Sequence, residues 1–470
     1  MPAFIAVAAL VVVAPQALLL IAVAVAVVAL LMWGLGAESG HRARHPQVSV
    51  GKAEPMPAVW SATLVTLVLF ILDVQGVFTH GDGPGVTPLR YLLLPVPFAV
   101  VALGTRRPPE VHQLRLADAF LAPLLIWGLV ASLAYKLLAG GEISGLSFFL
   151  PMTLAFFHLL RRGGPVSEAA AARMLDLFSY AGGAYVLVHL AAGLGVPGIA
   201  RGAHGHQTAF LLAGAVAAAF ATGRRKLATL ELAAIAGIYV LYPAATYVTT
   251  AGAVLVTVLL LSPSRTGMRK IVIGVAVPVI LGLGFSSSLS DGQDSFASKV
   301  LPRYFAAIGK SDNSDFRREM LKLGVEQLRE SPVIGSNFTA GFALPTKFRV
   351  GREAVLPHND FLELALAGGL VALGLFLGWA MATNVYVLKR HRLLVQAGAD
   401  ARARLVWALL LAFNACLSVA LFQPVLFEMG TVTLFFLLYA CLRQACEGAD
   451  DPPGQVEATD GSRRAAPARS

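Results

Sequence analysis

Apolar runs long enough to cross a bilayer recur along almost the whole chain, and Lys and Arg gather in every second connection between them. The basic clusters are Arg42/Arg44/Lys52, Arg106/Arg107/Arg115, Arg161/Arg162/Arg173, Arg224/Arg225/Lys226, Arg265/Arg269/Lys270, and Lys389/Arg390/Arg392 with Arg402/Arg404. The alternate connections ("THGDGPG", "GGEISG", "YPAAT", "FQPVLFE") hold almost no Lys or Arg. A spanning helix needs roughly 17–25 apolar residues, and short basic loops stay cytoplasmic. The pattern predicts an all-α, polytopic helical membrane protein of about 12–14 transmembrane helices, with both ends cytoplasmic. A chain that is 57% hydrophobic and 14% charged has far more apolar surface than a soluble domain needs. The net charge of +10 is mostly carried by these loops, so membrane lipids are expected as partners and nucleic acid is not.

The first 33 residues have no basic n-region and exceed the core of a cleavable signal. They predict a helical hairpin turning near Ala14-Pro15-Gln16, or one long kinked span. Cys416, Cys441 and Cys446 are odd in number and are expected to be ordinary buried thiols. The predicted organisation is N-terminal transmembrane helices over 1–285, a large external loop over 286–360, C-terminal transmembrane helices over 361–446, and a disordered cytoplasmic tail over 447–470.

Three external features carry chemistry. "GVPGIARGAHGHQ" (195–207) holds Arg201, His204 and His206. Within the large loop, "SDFRREMLKLGVEQLRESPVIG" predicts an amphipathic helix with Asp315 as its cap. Met320, Leu321, Leu323, Val325 and Leu328 are its apolar positions, and Ser331-Pro332 stops it. The loop ends on "LPHNDFLE", which places Pro357, His358, Asn359 and Asp360 at the head of the next span. Guanidinium groups such as those of Arg201, Arg317 and Arg318 stay charged and present forked donors that suit phosphate. Histidine is the side chain best able to exchange a proton near neutral pH. Together they suit an anionic lipid phosphate and an activated hydroxyl.

Plainer roles compete at each position. Asn359 or Asp360 is a good helix cap, so "PHND" is also what a simple helix start looks like. Arg318 and Arg329 fit a solvated helix face. His204 and His206 have a metal-binding spacing, but no third ligand stands nearby. Ionisable residues within spans are functional candidates by default, and Asp73, Asp118, Glu231, His158 and His189 qualify. Asp118 and Glu231 fall near predicted helix ends, His158 directly precedes a basic pair, and His189 fits a packed histidine.

In this order and sidedness, the motifs resemble the O-antigen ligase/polymerase family of bacterial envelope glycosyltransferases. The resembling parts are Arg201 in "ARGAHGHQTA", Arg317, the "SPVIG" turn with Pro332 and Gly335, and the His358-Asn359 pair, covering about 195–380. The chain departs from the family where a Ser-Arg-Gly-like external turn is common: it has "TYVTTAGA" (246–253), while "SPSRTG" (262–267) falls on the cytoplasmic side. Ala367 stands where an acidic residue is frequent. The resemblance implies glycan transfer from an undecaprenyl diphosphate-linked donor to an acceptor hydroxyl at the periplasmic face of the inner membrane, by inversion, with no cofactor and no metal. His358, Arg201 and Arg317 would be catalytic, and Arg318, His204, His206 and Asn359 would bind substrate. Lipid A–core is the expected acceptor, as in a ligase. Polymerase and protein O-oligosaccharyltransferase activities are the alternatives within the family. A lipid-linked oligosaccharide transporter, the alternative from another class, should show internal repeats and midplane charges; no repeat is visible.

Overall fold

Alanine, leucine, valine and phenylalanine dominate the stretches between the basic clusters, and where their structure is described these stretches form helices. The computed structural model describes residues 58–72, 95–104, 116–139, 146–161, 166–193, 210–232, 312–335, 359–421, 425–427 and 429–447. Among them every regular element is helical: α1 (Ala58–Leu72), α2 (Val96–Gly104), α3 (Leu116–Ala139), α4 (Leu146–Arg161), α5 (Glu168–Gly193), α6 (Phe210–Ala221), α7 (225–232), α8 (Asp312–Glu330), α9 (Asp360–Gln396), α10 (Asp400–Ala420) and α11 (Met429–Ala445). The all-α expectation therefore holds among the described residues. Two of these helices, α9 and α10, are long and apolar enough to cross a membrane. The N-terminal run, the 195–207 connection, the 246–267 segments and the tail after Glu447 lie outside the described residues.

The core is built where α9, α10 and α11 converge. Trp379 of α9 is fully buried, with its ring 4.9 Å from that of Tyr439 and 5.5 Å from that of Phe413. Phe413 and Phe435 stack at 5.2 Å. Such aromatic pairs add directional contacts to simple burial. The alanine-rich face of α6 lies against α5 and α10, buried from Phe210 to Ala219. Small side chains let these backbones approach closely, the usual means of packing helices in lipid. Between α9 and α10, Asn414 donates to the Asn384 amide oxygen at 2.8 Å, a polar clip inside an apolar interface. All three cysteines are free and buried, as their composition suggests.

Charged residues tie the helix ends together at one end of the bundle. Glu168 opens α5 and accepts from the N–H groups of Ala401 (2.7 Å) and Arg402 (3.3 Å), capping α10 in place of Ala399, which makes no side-chain cap bond. Arg402 donates to the carbonyls of Ala445 and Glu447 at the end of α11, and Arg404 to that of Ala221 at the end of α6. Arg224 pairs with Asp176 at 2.6 Å and lies over the Tyr180 ring. A helix leaves four N–H and four C=O groups unbonded at its ends, and the helix dipole favours acids at the first and bases at the second. Several residues of the predicted basic loops thus gather at one end as caps. At the opposite end, the head of α9 meets the connection between α10 and α11.

Candidate active site

The loop helix α8 forms because its apolar residues recur at helical spacing, and it ends at Glu330, just before the Ser331-Pro332 pair. It starts at Asp312, one turn earlier than a cap at Asp315 would have it, so Asp315 lies in the first turn rather than at the cap. Acidic residues at either place suit the helix N-terminus, which is why composition alone did not fix the start.

One stripe of α8 packs on the head of α9. Met320 is fully buried, Leu328 packs against the core, and Gly324 lies so close to α9 that an added Cβ would stand 2.8 Å from the Leu362 side chain. With 100° per residue, position 317 falls on this same stripe with 320, 324 and 328. Position 318 shares its stripe with Lys322, Val325 and Arg329, all exposed.

Backbone hydrogen bonds lock the end of α8 to α9. After the helix, the Gly335 N–H donates to the Ser331 carbonyl at 3.0 Å and the Ser331 hydroxyl to the Gly335 carbonyl at 2.9 Å, closing a tight turn. That turn sits in a break in α9 at Gly369 (φ 73°, ψ −177°). The break interrupts the ladder of α9, and the N–H groups beyond it turn to the loop: Leu370 donates to the Pro332 carbonyl at 2.8 Å and Val371 to that of Val333 at 3.4 Å. Only glycine adopts the Gly369 backbone readily, and an added Cβ there would fall on the Val333 carbonyl. Gly335 has φ 59° and lies against the backbone of Leu366 and Gly369. The "PxxG" turn and the glycine pair at 368–369 are the two halves of one joint.

The joint also sets direction. Gly324 abuts Leu362 and Leu366, and the turn that follows abuts Leu366 to Val371, so α8 and the head of α9 run parallel. At roughly 1.5 Å per residue, position 317 lies about 10 Å ahead of Gly324, near the height of Asn359 at the head of α9.

The head of α9 is fastened twice. Asn359, in extended conformation, caps the helix with its Oδ1 accepting from the Leu362 N–H at 3.0 Å. Asp360 is fully buried, and its Oδ2 accepts from the N–H groups of both Val425 and Leu426, each at 2.7 Å. Glu363, one turn on, is also buried. Of the sequence-derived site residues, Asn359 is thus a cap, Arg317 and Arg318 are placed by the backbone of α8, and Arg201, His204, His206 and His358 lie outside the described residues. Sequence reasoning treated Asp360 as an alternative cap only. Two acids three residues apart at the head of an apolar span were the signal for a buried anchor there.

Residues 230–377 match the family model described as O-Antigen ligase. The match takes in α8, the joint and the head of α9. A search of curated proteins finds no match.

Proposed function

We propose, from the match of residues 230–377 to the O-antigen ligase family model, that this chain transfers a glycan from undecaprenyl diphosphate to a hydroxyl of lipid A–core at the periplasmic face of the inner membrane. The observation that carries this reading is the parallel docking of α8 on α9, which brings position 317 near the height of Asn359 at the head of α9. In this reading Arg317 on α8 and His358, the residue before Asn359 in the sequence, meet the two needs of the reaction, charge stabilisation and proton transfer.

In the proposed step the acceptor oxygen attacks the anomeric carbon while the bond from that carbon to the diphosphate oxygen breaks. The bonding electrons leave with the diphosphate, and the hydroxyl proton passes to the His358 imidazole. Arg201 and Arg317 stabilise the charge that grows on the leaving diphosphate. One direct displacement inverts the anomeric centre. Asn359 holds the helix head, and His204 and His206 lie in the same external connection as Arg201 and contact the donor. Two lipid-anchored substrates held in one cleft gain much of their rate from orientation alone.

The test uses purified protein, undecaprenyl diphosphate-linked glycan and lipid A–core, with EDTA present, comparing wild type with His358→Ala. Glycan on lipid A–core from wild type alone is the expected result. Lengthening of the donor without lipid A–core product would instead identify a polymerase, and no change in either lipid would reject glycan transfer between them.

A further inference from the structure

Away from the candidate site, α9 and α10 border an open groove of about 560 Å³, walled by Met381 and Val385 of α9 and by Leu417 and Leu421 of α10. Met381 and Val385 stand one turn apart and are 70% and 68% exposed, a ridge beside the groove. Asn384 and Asn414 also line it. Asn384 donates to the Ala380 carbonyl at 2.9 Å, while Asn414 donates to the Leu410 carbonyl at 3.0 Å and to the Asn384 amide oxygen at 2.8 Å. Two amides offer four N–H groups and two oxygens. Among the described residues, one N–H of Asn384 and the Oδ1 of Asn414 therefore have no partner. The pair lies about 8 Å inward of Lys389 along α9 and about 15 Å inward of Arg404 along α10. In a membrane that these helices span, that is hydrocarbon depth.

A lipid tail can cover the ridge, but it supplies neither donor nor acceptor, and an unbonded polar group in hydrocarbon is costly. Polar side chains on spanning helices are for this reason bonded across helix contacts. We infer that this face of α9 and α10 binds a second copy of the chain. Copies inserted in the same direction are related by a two-fold axis along the membrane normal, which leaves every group at its own depth. The spare groups then answer each other twice, the Asn384 N–H of each copy donating to the Asn414 Oδ1 of the other. The ridge of Met381 and Val385 enters the groove of the second copy, and the reverse contact forms by symmetry. The surface is thus self-complementary in hydrogen bonding and in shape. The inference needs α9 and α10 to span a membrane and is independent of the transfer reaction.

The test places fluorophore-labelled full-length protein in phosphatidylethanolamine–phosphatidylglycerol vesicles and counts copies by single-molecule photobleaching as the lipid-to-protein ratio rises. Wild type should bleach in two steps at dilutions where Met381→Trp, which alters only an exposed ridge residue, bleaches in one. The midpoint of dissociation should differ about tenfold, the scale of one hydrogen-bonded helix contact in lipid. Asn414→Leu should weaken pairing to a similar degree; because it also breaks the clip to Asn384, its folding is checked by thermal unfolding, and Met381→Trp decides if it does not fold. In membranes, where the native cysteines are buried, Met381→Cys should cross-link between copies under copper phenanthroline. Ile126→Cys, 63% exposed on α3 and outside the groove, should not. Monomers at every dilution, or a Met381→Trp midpoint equal to that of wild type, overturn the inference. Monomers that carry a bound lipid in native mass spectrometry would give the groove to that lipid, and monomers whose Met381→Cys resists N-ethylmaleimide would give it to another span of the same chain; either result also overturns it.

Discussion

Gly369 shows how much a single residue can control. Its backbone, at φ 73° and ψ −177°, costs any other residue about 1–3 kcal/mol, and a side chain would displace the Val333 carbonyl from the joint. Gly369→Ala should therefore lower the thermal stability of the detergent-solubilised protein and reduce transfer, because α8 loses its hold on α9. Gly374→Ala is the matched control: it lies in the same helix, its added Cβ meets nothing within 4 Å, and replacing a helical glycine gains about 0.5–1 kcal/mol. Equal melting temperatures for the two variants would contradict the joint. Little of this was legible in the sequence. The bonds from Leu370 and Val371 run between backbones and leave no side-chain pattern, so only the glycines at 335 and 369 hinted at them. The Asp360 clamp was hidden for a related reason, since its partners are N–H groups 65 residues away.

At the scale of elements, the sequence was more informative. The loop helix was predicted from its apolar spacing and its Ser-Pro stop, and α8 ends where expected. The cap role offered for Asn359 is the one it has. Helical periodicity could not reveal which stripe of α8 faces α9, because Leu321 and Val325 are apolar yet 50% and 40% exposed. Burial of Met320 and the close approach at Gly324 identify the stripe, and position 317 falls on it while 318 does not. Capping between elements was also beyond sequence reasoning: Arg402 and Arg404 were visible as basic-loop residues, but not as caps for α11 and α6.

At the scale of the whole molecule, the described helices have two ends of different character, one bound by arginine and glutamate caps and the other holding the loop helix and the head of α9. From Gly369 to Gln396, α9 runs about 40 Å, enough to cross the roughly 30 Å hydrocarbon core of a bilayer. With short basic loops on the cytoplasmic side, the proposed topology puts the capped end in the cytoplasm. Val333→Cys and Gln396→Cys are exposed positions at opposite ends, against a background of buried native cysteines. A membrane-impermeant maleimide should label Val333→Cys in intact spheroplasts and Gln396→Cys only after lysis; the reverse pattern would invert the topology. The proposed transfer requires one more relation, the alignment of the loop helix with the head of α9. The measurement that tests it most directly is glycan transfer by Arg317→Ala and Arg318→Ala, with membrane levels of both checked against wild type. The account predicts a loss of about 10²–10³-fold for Arg317→Ala, the scale of removing one charge-stabilising group, and near-normal transfer for Arg318→Ala. Normal transfer by Arg317→Ala, or an equal loss in both, would contradict it.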